Sequence, residues 1–116
     1  MFLKLAHTKL EVFQSSKMLV LSCYKLTKLF PDNEKFGLIS QIRRAGLSIH
    51  LNIAEGASRK SKVERQRYFE IARGSVIEID TALDLAVSLN YSTEAGLQST
   101  GVLIIETFKM LTGLMK

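Results

Sequence analysis

With 116 residues, 47% of them apolar and 23% charged, the chain is sized for one small domain and is too apolar for a disordered tail. One proline, few turn clusters and a single cysteine argue against the many short strands of a sandwich or barrel and against a disulfide scaffold, so long helices in a cytoplasmic protein are expected. Sixteen Lys and Arg against eleven Asp and Glu give a net charge of +5, which favours a polyanionic partner, nucleic acid or anionic lipid, without choosing between them.

Met1 to Leu10 has no continuous apolar stretch and no small-residue cleavage site, so no export signal is expected. The first helical pattern covers about residues 9–29, with Val12, Ser16, Leu19, Cys23, Leu26 and Phe30 at steps of three and four, and ends at Phe30 and Pro31. Asp32 or Asn33 can cap a second helix over about 33–55. Its stripe is Ile39, Ile42, Gly46, Ile49 and Ile53, and Gly56 is read as its stop. Ser61 and Glu64 have the spacing of a reciprocal capping box, which starts a third helix over about 61–89 on the stripe Phe69, Ala72, Val76, Ile79, Leu83 and Ala86. After a break at Asn90 to Thr93, Leu97, Gly101, Ile104, Phe108, Leu111 and Met115 define a fourth helix over about 94–115. No apolar run approaches the roughly 20 residues of a membrane span.

Four amphipathic helices with short links predict an all-α fold, an up-down-up-down antiparallel four-helix bundle formed by residues 1–116 as one domain. Helices one and four carry apolar residues off the main stripe: Phe13, Val20 and Leu21 on the first, Val102, Leu103, Ile105 and Met110 on the fourth. Either they widen the core stripe or they form a second face buried by self-association.

Charge is uneven along the chain. Residues 1–31 carry +4, residues 32–75 carry +4 and residues 76–116 carry −3. The densest cluster is Arg59, Lys60, Lys62, Arg65 and Arg67, opposed locally by Glu64. It stands at the head of helix three, where the helix dipole disfavours cations, so helix stability does not account for it. Glu78, Asp80 and Asp84 give the same helix an acidic tail. A phosphate-binding surface, a head-to-tail match between subunits and a solvated helix end all fit this polarity. Without interleaved aromatics, any nucleic-acid contact should follow backbone and shape.

A second seam on helix two reads Gln41, Ala45, Ser48, Asn52 and Glu55, and faces a seam on helix three that contains Tyr68, Ile71, Ser75 and Glu78. Arg43, Arg44 and Arg59 are candidate partners for Glu55 and Glu78 in a buried polar network, in which Glu55→Gln or Glu78→Gln would be strongly destabilising. Cys23 sits on a core stripe and is expected to be an inert thiol; His50 is expected to pack half-exposed. The sequence has no phosphate-binding glycine loop, nucleophile elbow or metal-ligand spacing, so no catalytic residue, metal or cofactor is assigned.

The stretch from Phe30-Pro31 through Phe36-Gly37-Leu38, Gln41 to Ala45, Ser48-Ile49, Asn52 to Gly56, Arg59, Ser61, Glu64, Phe69, Ile71-Ala72, Gly74-Ser75 and Glu78 resembles the 23S rRNA-intervening sequence proteins. The resemblance is strongest over about residues 9–91. It implies a bacterial four-helix bundle related to the accessory variability determinant of diversity-generating retroelements, and through that relative a basic homopentamer that binds nucleic acid and a reverse transcriptase. A ribosomal partner is implied by the family alone. The pattern marks Arg43, Arg44, Asn52, Glu55, Gly56, Arg59, Ser75 and Glu78, the groups of the polar seam. Gly46 and His50 stand where the family commonly has alanine and proline, so helix two is expected to run straighter here. Together these readings predict a non-enzymatic homo-oligomer that contacts RNA or DNA backbone through Arg59, Lys60, Lys62, Arg65 and Arg67. The alternative is a structural or protein-binding adaptor.

Overall fold

The computed structural model describes residues 2–3 and 5–116. Met1 and Lys4, part of the stretch read for an export signal, lie outside the described residues. The described residues form four α-helices: α1 (Glu11–Thr27), α2 (Leu38–Ser58), α3 (Lys62–Ser88) and α4 (Gln98–Leu114). Short 3-10 turns precede α1, α2 and α4, at Ala6–Lys9, Asp32–Glu34 and Ala95–Leu97. At 1.5 Å per residue α3 is about 40 Å long, close to the 44 Å longest dimension of the molecule.

Each helix packs on two others in a closed circuit, α1 on α2, α2 on α3, α3 on α4 and α4 on α1, with α2 and α3 the most extensively joined. The cross-helix pairs advance along one helix as they recede along its neighbour. Ser16 meets His50 and Thr27 meets Arg43; Gln41 meets Glu78 and Ser48 meets Ser75; Ser15 meets Thr107 and Ser22 meets Thr100. Neighbouring helices therefore run in opposite directions, as their short links require.

The core follows the sequence stripes. Leu19 and Cys23 of α1, Ile42, Ile49 and Ile53 of α2, Ala72, Ile79 and Ala86 of α3 and Leu111 of α4 are fully buried at its centre. Polar side chains interrupt it only where they are paired. The Ser15–Thr107 and Ser22–Thr100 hydroxyls, 2.7 and 2.6 Å apart, satisfy one another across α1 and α4. Burial pushes the Cys23 thiol up to about 12, so it stays protonated and unreactive.

Helix ends depart from the expected ones for local reasons. Asp32 and Asn33 fall in a 3-10 turn and do not cap α2, which begins five residues later than expected, at Leu38. The Glu34 carboxylate accepts the Leu38 amide hydrogen at 3.2 Å in their place. Gly56 does not stop α2: the helix continues to Ser58, and Gly56 is buried against Phe69. At the head of α3 the Ser61 hydroxyl oxygen accepts the Glu64 amide at 3.2 Å, the forward half of the expected box. At its tail Asn90 adopts a left-handed φ of 63°, and the amides of Tyr91 and Asn90 bond to the carbonyls of Ala86 and Val87, which closes α3 in a Schellman turn. Tyr91 then packs on Phe30 and donates its hydroxyl to Glu34 at 2.8 Å, an acceptor that raises its pKa and ties the two loops at this end together.

The expected apolar surplus divides. Phe13 is buried, whereas Leu21, Val102 and Ile105 stand in the open. Ile71 and Leu85 of α3, expected on a seam facing α2, are also exposed, as are Leu47 and Leu51 of α2.

Candidate functional site

The α2–α3 corner gathers the basic cluster, but its five cations are not equivalent. The Arg65 Nη1 donates to the carbonyls of Arg59 and Lys60 at 2.9 and 2.7 Å. These carbonyls belong to the link between Ser58 and Ser61, which joins α2 to α3, so Arg65 braces the turn from the first helical turn of α3. Arg59 donates to the Glu55 carboxylate at 2.7 Å and to the Tyr68 hydroxyl at 3.3 Å, and lies 5.2 Å over the Tyr68 ring. Tyr68 and Glu55 hold its pKa up, so the guanidinium is firmly charged and fixed in place. Lys60, Lys62 and Arg67 are exposed and take part in no ion pair among the described residues. Three exposed cations thus surround a braced turn at the positive end of the longest helix.

The polar seam forms in a different arrangement from the expected one. Arg43 turns away from Glu55 and Glu78 toward α1: its Nε donates to Thr27 Oγ1 at 2.9 Å, Nη2 donates to the Tyr24 carbonyl at 3.4 Å, and the guanidinium lies 4.7 Å over the Tyr24 ring. Thr27 in turn donates to the Cys23 carbonyl, so Arg43 finds neutral partners on α1 without a carboxylate. Glu55 and Glu78 are exposed and not buried. Glu55 pairs with Arg59 one turn along the surface, and among the described residues Glu78 accepts only from Gln41, at 3.4 Å. Neither carboxylate bears the cost of a buried charge, so Glu55→Gln should leave the urea midpoint close to that of the parent chain, contrary to the strong loss expected for a buried pair.

What remains of the seam is an external groove. Ser48 and Ser75 hydroxyls meet at 2.9 Å on its floor, Asn52 is held by its own helix through the Ser48 carbonyl at 2.7 Å, and Arg44 stands at the rim. The groove measures about 420 Å³ and its lining consists of Gln41, Arg44, Ala45, Ser48, Ile71, Gly74, Ser75 and Glu78. Every one of these residues belongs to the sequence pattern that carries the family resemblance.

His50 is packed as a half-buried structural side chain. Its ring stacks on Phe13 at 4.2 Å and its Nδ1 lies 2.7 Å from the Ser16 hydroxyl. Among the described residues no three His, Cys, Asp or Glu side chains converge as a metal ion would require. No helix among them is long and apolar enough to cross a membrane.

Fold and surface together define a small all-helical bundle with a braced basic corner and a polar external groove between α2 and α3. The chain belongs to the 23S rRNA-intervening sequence protein family, whose model matches residues 8–113. It is also similar to a crystal structure of a protein of unknown function from the S23 ribosomal protein family of Bacteroides thetaiotaomicron VPI-5482, at 26% identity and a TM-score of 0.83, over 90% of this chain and 98% of that one. No curated protein matches it.

Proposed function

We propose that this chain is a non-enzymatic, homo-oligomeric helical bundle of the cytoplasm that binds RNA or DNA backbone through its α2–α3 corner. The observation that carries the reading is the division of labour there. Arg65 and Arg59 are consumed in building the turn, which leaves Lys60, Lys62 and Arg67 exposed and free to meet phosphates. Cations placed against the helix dipole raise the local positive potential, a cost to helix stability that an anionic partner offsets. The family's description in terms of ribosomal RNA supports the same polymer class. A pentamer, and a reverse transcriptase or ribosomal partner, follow from the resemblance. A non-catalytic role is favoured by how the reactive side chains are spent: Cys23 is buried with a raised pKa, and His50 is engaged by Phe13 and Ser16.

Fluorescence anisotropy with a structured RNA and a DNA duplex across a salt series tests the proposal. For a duplex, log affinity should fall with log salt with a slope of about −0.9 per phosphate contacted. A Lys60→Gln/Lys62→Gln/Arg67→Gln variant should therefore lose about 2 to 3 from that slope. Arg65 is left intact in this variant because its removal would unbrace the turn. Absence of binding at low salt, or a slope that the triple substitution leaves unchanged, would sink the nucleic-acid reading and favour an adaptor whose cations meet an acidic protein.

A further inference from the structure

The outer face of α2 and α3 leaves large apolar side chains uncovered, among them Leu47, Leu51, Ile71 and Leu85. Arg44, Leu47 and Leu51 follow one another along α2 at steps of three and four, and Ile71, Ser75 and Glu78 do the same along α3. Leu51 is 60% exposed and Ile71 47% exposed, beside the groove floored by the Ser48–Ser75 pair. A second, more apolar groove of about 520 Å³ continues the first past Gln41 and Glu78 to Leu85. Scattered single apolar residues need no explanation, but a row of them along a continuous groove does.

The chemistry of this face excludes a polyanion as its occupant. Arg44 and Glu78 line the same groove, so their charges offset, and the neutral polar Gln41, Ser48 and Ser75 share its lining with the apolar Ala45 and Ile71. The fitting partner is a helix that carries apolar side chains together with one charge of each sign. The outer side of α4 has that composition: Val102 and Ile105, 55% and 56% exposed, with Glu106 and Lys109 exposed beside them. The outer side of α1 offers Met18 and Leu21 as well, but flanks them with Lys17 and Lys25 and would set like charge against Arg44.

We infer that the α2–α3 groove seats a second copy of this chain, which enters with the outer ridge of its α4, Val102 and Ile105 against Ile71 and Leu51, and Glu106 and Lys109 against Arg44 and Glu78. The inference rests on the homo-oligomeric part of the reading above and names the faces that join the copies. Groove and ridge are different surfaces of one chain, so the contact is heterologous, and successive copies add head to tail until a ring closes.

Analytical ultracentrifugation with far-UV circular dichroism tests it. The parent chain should sediment as a closed oligomer. Ile71→Glu and Ile105→Glu, both at exposed positions, should each give helical monomers, and Leu51→Glu serves in place of Ile71→Glu should that variant lose helicity. Mixed together, the Ile71→Glu chain still offers a sound ridge and the Ile105→Glu chain a sound groove. The mixture should form a 1:1 dimer and nothing larger, an outcome that a groove-to-groove contact does not produce. A parent chain that is monomeric at all concentrations overturns the homo-oligomeric reading itself. A parent oligomer whose mass survives Ile71→Glu or Ile105→Glu with helicity intact overturns only the assignment of faces.

Discussion

Gly56→Ala should destabilise the protein although it places a better helix former inside α2. In an unobstructed helix the change gains about 1 kcal/mol. Here a β-carbon built on Gly56 would stand 2.8 Å from Cε1 and 3.0 Å from Cδ1 of Phe69, and 3.0 Å from Cβ of Tyr68. Phe69 is a buried ring and Tyr68 Cβ is fixed to the backbone of α3, so neither can swing aside as the end of a flexible chain would. The two helices, the most extensively joined pair in the bundle, must move apart at this end, at a cost of about 1 to 3 kcal/mol for overpacking. Chemical denaturation should show a net loss, accompanied by a Tm lower by about 4 °C per kcal/mol for a domain of this size. Gly101→Ala is the control. Nothing lies within 4 Å of its would-be β-carbon, so it should raise stability by up to about 1 kcal/mol. If both substitutions shift the midpoint in the same direction, close approach is not the reason for glycine at position 56.

That pair of glycines shows what a one-dimensional reading can and cannot recover. The four helices were legible because each stripe repeats at a single period, and the stripe of α3 from Phe69 to Ala86 is buried at every position. Gly56 was read as a stop because a glycine after an apolar run commonly ends a helix; the ring of Phe69, thirteen residues on, decides otherwise and cannot be seen from the run itself. The start of α2 was placed early because Asp32 and Asn33 look like caps, whereas the backbone leaves helical geometry again at Gly37, with φ −107° and ψ −113°.

Charge pairing was legible only in part, for a related reason. Opposite signs in the sequence suggested that Arg43 would seek Glu55 or Glu78, but a guanidinium is also satisfied by hydroxyls, carbonyls and an aromatic face, and those of Thr27 and Tyr24 are nearer. Arg65 is the same case at the corner: its sequence position marks it as one more surface cation, and its geometry makes it a brace. The spacing did place Gln41, Ser48, Ser75 and Glu78 on one seam correctly. It could not say that the seam opens outward, since that depends on the packing of two helices whose stripes lie one residue away.

The second large effect centres on Phe13. This ring is buried, stacks on His50 at 4.2 Å and receives the edge of His7 at 4.9 Å, so it is the wedge that joins the N-terminal turn to α1 and α2. Phe13→Ala should cost about 3 to 5 kcal/mol as a buried aromatic truncation, a large share of the roughly 5 to 15 kcal/mol that holds a domain folded. It should also change the pH dependence of stability. Ser16 donates its hydroxyl to the Phe13 carbonyl at 3.0 Å, so its oxygen accepts from His50 Nδ1–H, and a second proton would have to enter at Nε2. Burial, then the nearby Lys17 and His7, hold the His50 pKa below its ordinary 6.5. The unfolded chain therefore takes up this proton more readily than the folded one. The stability linked to His50 is complete above about pH 6.5 and is lost as the pH falls below it toward the folded value. Thermal unfolding of the parent chain should give a lower Tm at pH 5.5 than at pH 7.5, and the difference should shrink in both Phe13→Ala, where the ring is opened to water, and His50→Phe, where the titrating group is gone. A Tm difference of unchanged size in both variants would place the pH response elsewhere in the molecule.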